Sequence, residues 1–390
     1  MKLYPIALAA LAATISCSSL AGNDAATAAT VAARSHFFGV DNVDQKTGKV
    51  DKEKVIVSWF SVASYALAAK GRVFLLDSYI YRVSDTPGYV PTTVQELVDL
   101  NPEAIFLGHG HGDHADNAAY IAVRTGARIY GAAEHCDAMR GDAERIFGAG
   151  TAVKCTSLTT HGSTPGSERM NINDLRPDVC ITSFKHRHSG AAPVDPNFPV
   201  VLINPVRDPR VNDIYPPLPP PTLNTRTQAG AGGSVSMFYQ FTVGRFSLIW
   251  HDTNGPIRFD QPQLEPIIAA LPKADVQLGS LVSIGENTNG VYDIGLYVQL
   301  VKPKIFYGGH SDNFNIGASP YYHRALRTQL EVFGIPPEER PVIAGFDDPY
   351  DYLSPGLATF RWQDKRWREV PAGKASVPCG GRDDDDDDDD

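Results

Sequence analysis

The sequence predicts an α/β fold for this 390-residue chain. Three observations predict it. Short apolar runs of strand type alternate with segments of helical period. No Gly/Ser linker and no internal repeat divides the chain, and its length suits one large domain or two small ones. Every cluster of chemistry-bearing polar residues falls where one of the apolar runs stops. In α/β sheets such strand ends share one rim, where loops gather side chains from distant parts of the chain.

The elements follow in order. "KVIVSWFSVASYALAA" is strand-like, "KG" at 70–71 turns the chain, and "RVFLLDSY" returns as a strand, giving a hairpin that ends at Asp77. "TTVQELVDL" reads as a helix capped by Thr92 or Thr93. "EAIFLG" (103–108) is a short buried strand, and "ADNAAYIAVRTG" is a helix stopped by Gly126. "ARIYG" is a strand and "AAEHCDAMRGDAERIFG" a helix. "DVCITSFKHRHS" is a strand ending near His188, and "SMFYQFTVGRFSLIWHD" a hairpin ending at Asp252. "QLEPIIAAL" (helix), "ADVQLGS" (strand) and "DIGLYVQLV" (helix) lead to a last strand, "PKIFYGGHSDN", which runs into His310.

The two ends differ from this body. Residues 1–21 have the pattern of an export signal: Lys2, an uncharged apolar run from Ile6 to Ile15, then small residues. Cleavage after Ala21 is the favoured reading, and a lipid anchor on Cys17 the alternative. Either places the mature protein outside the cytoplasm, periplasmic or extracellular. No later segment is long and apolar enough to span a bilayer. Residues 22–53 read as a small, polar N-terminal extension that wraps the surface. Residues 54–372 form the main domain, interrupted by an excursion at 189–233 rich in proline and glycine. Residues 373–390 read as a disordered acidic tail closing on eight aspartates. The net charge is −10; without those eight, 37 acidic residues face 35 basic ones, a net of −2. A near-neutral body argues against a nucleic-acid partner.

Four cysteines remain beyond the leader: Cys136, Cys155, Cys180 and Cys379. An oxidising compartment allows three pairings. Cys136 with Cys155 is favoured because it links neighbouring elements. No C-x-x-C motif points to a thiolate metal site or a redox dithiol.

The chemistry concentrates in "GHGHGDHADN" (108–117), which holds three of the eleven histidines. Side chains leaving a strand alternate, so His109 and His111 project to one side. Asp113 and His114 follow a turn and aim elsewhere. Gly110 and Gly112 permit that turn. Two neighbouring cation sites are the natural outcome, each incomplete. A catalytic zinc usually takes three protein ligands and leaves a position for water. His188 and His310 are the available completions, and Asp252 can bridge both ions. Asp77, ending a strand beside them, reads as a supporting carboxylate for a metal-bound histidine.

The H-x-H-x-D-H spacing resembles the signature of the metallo-β-lactamase superfamily. "HSG" at 188, "HDTNG" at 251–255 and "YGGHSDN" at 307–313 follow in the matching order. The opening hairpin looks like that of the branch with ascorbate-6-phosphate lactonase and N-acyl-phosphatidylethanolamine-hydrolysing phospholipase D. The resemblance spans roughly residues 54–315. It implies an αββα sandwich: two mixed β-sheets flanked by helices, with the metal site on one edge. It implies a first zinc on His109, His111 and His188, and a second on Asp113, His114 and His310, with Asp252 between. Manganese or iron are alternatives. The chain departs from the branch at Ser61 and Val62, where a Gly-His or Gly-Thr pair is usual, and at His251, where glycine usually precedes the aspartate.

Other histidines compete for these roles. His186 lies on the same strand face as His188. His251 should point away from Asp252, yet lies near enough to border the pocket. His135, His161 and His323 read as core or surface residues, and His36 carries no assignment. Asp116 and Asn117 most simply start the next helix. The "NTNG" turn at 287–290 and Tyr292 are candidates to line the pocket.

Two zinc ions about 3.5–4 Å apart share and activate a bridging hydroxide. With Asp113 and Asp252 orienting it and moving a proton, the implied activity is hydrolysis of an ester, lactone or phosphodiester in a small-molecule or lipid-like substrate. No G-x-S-x-G elbow offers a rival nucleophile. The alternative from another class is a non-catalytic metal-binding or interaction protein on the same fold, with the acidic tail and the excursion as working surfaces.

Overall fold

The computed structural model describes residues 27–80, 91–190, 225–228, 232–281, 289–312, 319–346, 351–376 and 379. The segment read as an export signal (with Cys17), most of the 189–233 excursion and the aspartate run lie outside the described residues.

Strand formation starts with the apolar run after Lys54. The sequence predicts one hairpin there, but the run divides into β1 (Lys54–Ser61) and β2 (Ser64–Ala69), with a turn at Val62 and Ala63. A second turn at Lys70–Gly71 leads to β3 (Arg72–Leu76). Alternation sorts the side chains of β1. Val55, Val57 and Trp59 join one buried cluster, while Ile56 and Phe60 join another. Helix α2 (Val94–Asp99) is capped by the Thr93 side chain, which accepts from Glu96 N. Parallel strands β4 (Ala104–Phe106), β6 (Arg128–Gly131) and β7 (Cys155–Ser157) extend the sheet, with β5 (His109–Gly110), α3 (Gly112–Ala115), α4 (Ala118–Thr125) and α5 (Ala133–Phe147) between them. With the C-terminal β15 (Thr359–Arg361) the order is β15-β1-β2-β3-β4-β6-β7.

The second sheet repeats the scheme. Antiparallel strands β8 (Arg169–Ile172), β9 (Cys180–His186), β10 (Gly233–Val243) and β11 (Phe246–His251) come first. Parallel strands β12 (Val276–Ser280), β13 (Ile305–Gly309) and β14 (Val342–Ala344) follow. The order is β14-β13-β12-β11-β10-β9-β8, and β5 pairs with β10 off this path. Helices α6 (Ile257–Asp260), α7 (Leu264–Ala269), α8 (Tyr292–Val301) and α9 (Ser319–Val332) belong to this half.

Three buried clusters correspond to three interfaces between layers. One joins the facing sides of both sheets, including Trp59, Phe106, Tyr239 and Trp250. A second packs the first sheet against α1 (Ala28–Phe38), α2, α4 and α5. The third packs the second sheet against α6 to α9. The layers run helix, sheet, sheet, helix: an αββα sandwich of two mixed sheets. Among the described residues, no helix is long and apolar enough to cross a membrane.

The extension is more ordered than its composition predicts. Thr27 caps α1, and Phe37 and Phe38 at its end are fully buried, Phe37 edge-on to Phe60 at 5.8 Å. An alanine-rich helix has little amphipathic signal, so two terminal aromatics supply the anchor. At the other end the body continues past residue 372. Lys374 Nζ donates to the carbonyls of Ala269 and Leu300, both at 2.7 Å. Cys379 bridges to Gly244 and is disulfide-bonded to Cys180. Cys136 pairs with Cys155, joining α5 to β7.

The two disulfides enclose very different lengths of chain, with separations of 19 and 199 residues. Loop-closure entropy makes the longer one the stronger constraint on the unfolded chain, with ceilings of about 3 and about 5 kcal/mol. Urea unfolding of the two double-serine variants is expected to show the larger loss for Cys180→Ser/Cys379→Ser.

Candidate metal centre

The site begins with a crossing from one sheet to the other. After β4 the chain leaves the first sheet, and two residues later β5 pairs with β10 of the second. Gly108 makes the crossing. Its N–H donates to Asp77 Oδ1 at 2.8 Å, and its carbonyl accepts from Met237 N at 2.7 Å. A Cβ on Gly108 would lie 2.1 Å from Asp252 Cγ, so only glycine leaves that carboxylate its place. The one-turn α3 then swings Asp113 and His114 away from His109 and His111. His188 follows β9, Asp252 follows β11 and His310 follows β13.

The seven residues meet on this rim. His109 Nε2 lies 3.0 Å from His111 Nδ1 and 3.3 Å from His188 Nε2. His114 Nε2 lies 3.0 Å from His310 Nε2, and Asp113 Oδ2 is 3.7 Å from each of these nitrogens. Donor atoms of His109, Asp113 and His114 also lie within 4.8 Å of one another, so the two groups adjoin. A third close group, Asp77, His114 and Asp252, is of another kind. Its atoms are already hydrogen-bonded among themselves, on the far side of the rings.

Those far-side contacts decide which way the lone pairs point. His109 Nδ1 donates to Asp252 Oδ2 at 2.6 Å. His114 Nδ1 lies 2.8 Å from Asp77 Oδ2 and 3.1 Å from Asp252 Oδ2. His188 Nδ1 donates to the Ser189 carbonyl at 2.8 Å. A neutral imidazole with its proton on Nδ1 carries a lone pair on Nε2. The lone pairs of His109 and His188 therefore face each other at 3.3 Å, an arrangement that repels unless a cation lies between. Two buried atoms, Asp252 Oδ1 and His310 Nδ1, have no hydrogen-bond partner among the described residues. The donor set fits a pair of cations.

Electrostatics agree with this geometry. Burial holds His109 well below the ordinary histidine range, lowers His111 and His310, and brings His188 to about 4. Burial thus favours the neutral form of all four rings. Burial also works against charge on His114, but Asp113, Asp252 and Asp77 outweigh it and hold this ring well above the usual value. Asp113 is raised by burial and lowered further by the surrounding imidazoles, His114 first, ending well below the carboxylate range. Burial and the neighbouring Asp252 raise Asp77; His109 and His114 keep Asp252 low despite burial.

The remaining candidates lie elsewhere. His186 faces the helices, with Nδ1 3.0 Å from the Tyr297 hydroxyl, whereas His188 joins the cluster. His251 stacks between Phe238 and Tyr297, at 5.2 and 4.9 Å, and its Nε2 accepts from Gln277, so it turns its back on Asp252. Tyr292 is buried edge-on to Phe333. Of the 287–290 turn, only Asn289 and Gly290 are among the described residues, and Asn289 is buried. His135 is buried at the start of α5, His323 is buried, and His161 and His36 pair with Asp137 and Glu96. Asp116 and Asn117 do more than start a helix. Asp116 Oδ1 accepts from Thr227 N at 2.7 Å, and Asn117 N–H donates to the Thr225 carbonyl at 3.1 Å. They anchor the end of the excursion beside the metal loop, a long-range role that neighbouring letters do not signal.

No family model matches the chain. Over 78 residues, 20% of its length, it is 31% identical to a UPF0173 metal-dependent hydrolase of Pyrobaculum arsenaticum. The match spans 32% of that relative. Among solved structures, a metallo hydrolase from Ignicoccus hospitalis aligns with a TM-score of 0.46 at 14% identity, covering 76% of this chain and 96% of that one. An isothiocyanate hydrolase from Delia radicum gut bacteria aligns at 0.43 and 14%, covering 75% and 97%. A metallo-β-lactamase fold protein from Bacillus subtilis aligns at 0.40 and 12%, covering 76% and 96%. Two mixed sheets between helices, with an H-x-H-x-D-H loop crossing their shared rim, are the αββα architecture that the resemblance to the metallo-β-lactamase superfamily implies.

Proposed function

We propose that this chain is an exported binuclear zinc hydrolase acting on an ester, lactone or phosphodiester bond of a small-molecule or lipid-like substrate. The observation that carries the reading is the pair of adjoining donor sets, His109/His111/His188 and Asp113/His114/His310, with carboxylates behind His109 and His114. Mixed imidazole and carboxylate donors suit zinc and also accept manganese or iron. The leader pattern and two disulfides support export. The partial likeness to a metal-dependent hydrolase points to the same reaction type.

When bound, two such cations lower the pKa of a shared water and polarise the bond under attack. The protein's own groups supply the rest. Asp113 is the most exposed carboxylate of the cluster, with its side chain 20% accessible. It can pass a proton between the centre and a leaving group at the mouth. Asp252 is fully buried and fixes His109 through Oδ2, while its Oδ1 has no hydrogen-bond partner among the described residues. Asp77 holds His114 and the Gly108 peptide together.

Metal analysis of the purified chain is expected to give about two ions, with turnover on at least one member of an ester, lactone and phosphodiester panel that includes bis(p-nitrophenyl) phosphate. Asp113→Ala should lower turnover about 10²–10⁴-fold while the circular dichroism spectrum is unchanged. Full metal loading with no turnover on any panel member would instead favour a non-catalytic metal-binding protein.

Asp77→Ala removes the Asp77 acceptor behind His114. Chelator competition should show metal affinity lowered about 10–100-fold. An unchanged affinity rules out that supporting role.

A further inference from the structure

The turn between β1 and β2 holds a conformation that its sequence opposes. Val62 is β-branched, fully buried and left-handed at φ 47°. Such a residue adopts this region only when its surroundings impose it. His310, the last member of the second donor set, is also left-handed at φ 66°. A hydrogen bond joins the two: His310 N–H donates to the Val62 carbonyl at 2.7 Å. The same carbonyl accepts from Trp59 Nε1 at 2.8 Å.

One carboxylate closes the arrangement. Asp312 Oδ2 accepts from Val62 N–H at 3.0 Å and from the Tyr352 hydroxyl at 2.5 Å. Tyr352 stacks on Trp59 at 4.5 Å, and Leu353 N–H donates to the Trp59 carbonyl at 2.9 Å. The approach of the two sheets here is close. A Cβ on Gly309 would meet Tyr65 Oη at 2.2 Å and the Val62 carbonyl at 3.0 Å. Val62 belongs to the first sheet's opening hairpin, and His310 and Asp312 to the end of β13 in the second. Tyr352 comes from the C-terminal segment.

We infer that Asp312, Val62 and Tyr352 form a clamp across the two sheets that positions His310, and that occupancy of the second cation depends on it. The inference rests on the two-cation reading above. The first donor set does not share the clamp: His109, His111 and His188 are oriented by Asp252, β5 and Ser189. The two sites are therefore separable by mutation. Asp312 and Tyr352 are positioning residues; neither is assigned contact with substrate or ion.

The test titrates the full chain, stripped of metal, with zinc under chelator competition, and in parallel with cobalt(II), whose visible bands report each site. The wild type is expected to take two ions. Asp312→Ala should bind the first normally and the second about 10–100-fold more weakly, with the cobalt bands of one site lost. Asp312→Asn keeps an oxygen acceptor and should restore most of the second site. Near-UV circular dichroism reports the fold. Should Asp312→Ala fail to fold, Tyr352→Phe decides: it keeps the ring stack and removes only the hydroxyl donor, and should weaken the second ion alone. Equal weakening of both ions, or of neither, overturns the clamp. A wild type that takes only one ion overturns the clamp together with the two-cation reading. Two ions without hydrolysis overturn the hydrolase reading and leave the clamp standing.

Discussion

The site depends on the burial of two carboxylates behind imidazole rings. Asp77 and Asp252 have no solvent exposure, and both reach the Nδ1 atom of His114. A free carboxylate in such a place is costly, and two together repel. The arrangement persists because ring N–H groups and the Gly108 peptide bind their oxygens. The same contacts put a proton on Nδ1 of both rings; on His109, which burial keeps neutral, that leaves Nε2 as the outward electron pair. Ring orientation is thus set from behind.

Gly108 is the steric condition for this. The chain must cross from β4 to β5 at the one point where Asp252 fills the space a side chain would occupy. Crossing there also lets a single loop belong to both sheets. Asp77 arrives from β3, while His188, Asp252 and His310 arrive from strands of the second sheet. The donor sets therefore assemble only when the two sheets face one another in register. Assembly of the two donor sets and packing of the two sheets are then coupled.

Much of this was legible in the letters, and the parts that were not share a physical cause. His109, His111, Asp113 and His114 are readable because their spacing is local and alternation fixes their directions. His188, Asp252 and His310 are readable from their place at strand ends. Cys136–Cys155 follows from neighbouring elements, whereas Cys180–Cys379 joins residues that only the finished sandwich brings together. The β1–β2 turn was invisible because Ser61–Ser64 lacks the glycine or asparagine that normally marks such a bend. Its conformation is imposed by Asp312, 250 residues away. Helix α1 was missed because an alanine-rich segment shows no stripe, although Phe37 and Phe38 bury fully. The environment of His251 follows from β11 facing α8, a packing relation that periodicity does not encode.

Gly108 and Val62 show two ways of making room at a crowded rim. At Gly108 the chain omits a side chain, and the cost is conformational freedom lost on folding. At Val62 it keeps an apolar side chain in the inter-sheet cluster and accepts backbone strain instead. The second solution requires something that holds the strained residue, and the buried Asp312 does so through Val62 N–H. A strained turn secured by a buried carboxylate has few alternative states of similar energy, because release would cost that carboxylate one of its donors. The strain is therefore consistent with a fixed rather than adaptable position for His310.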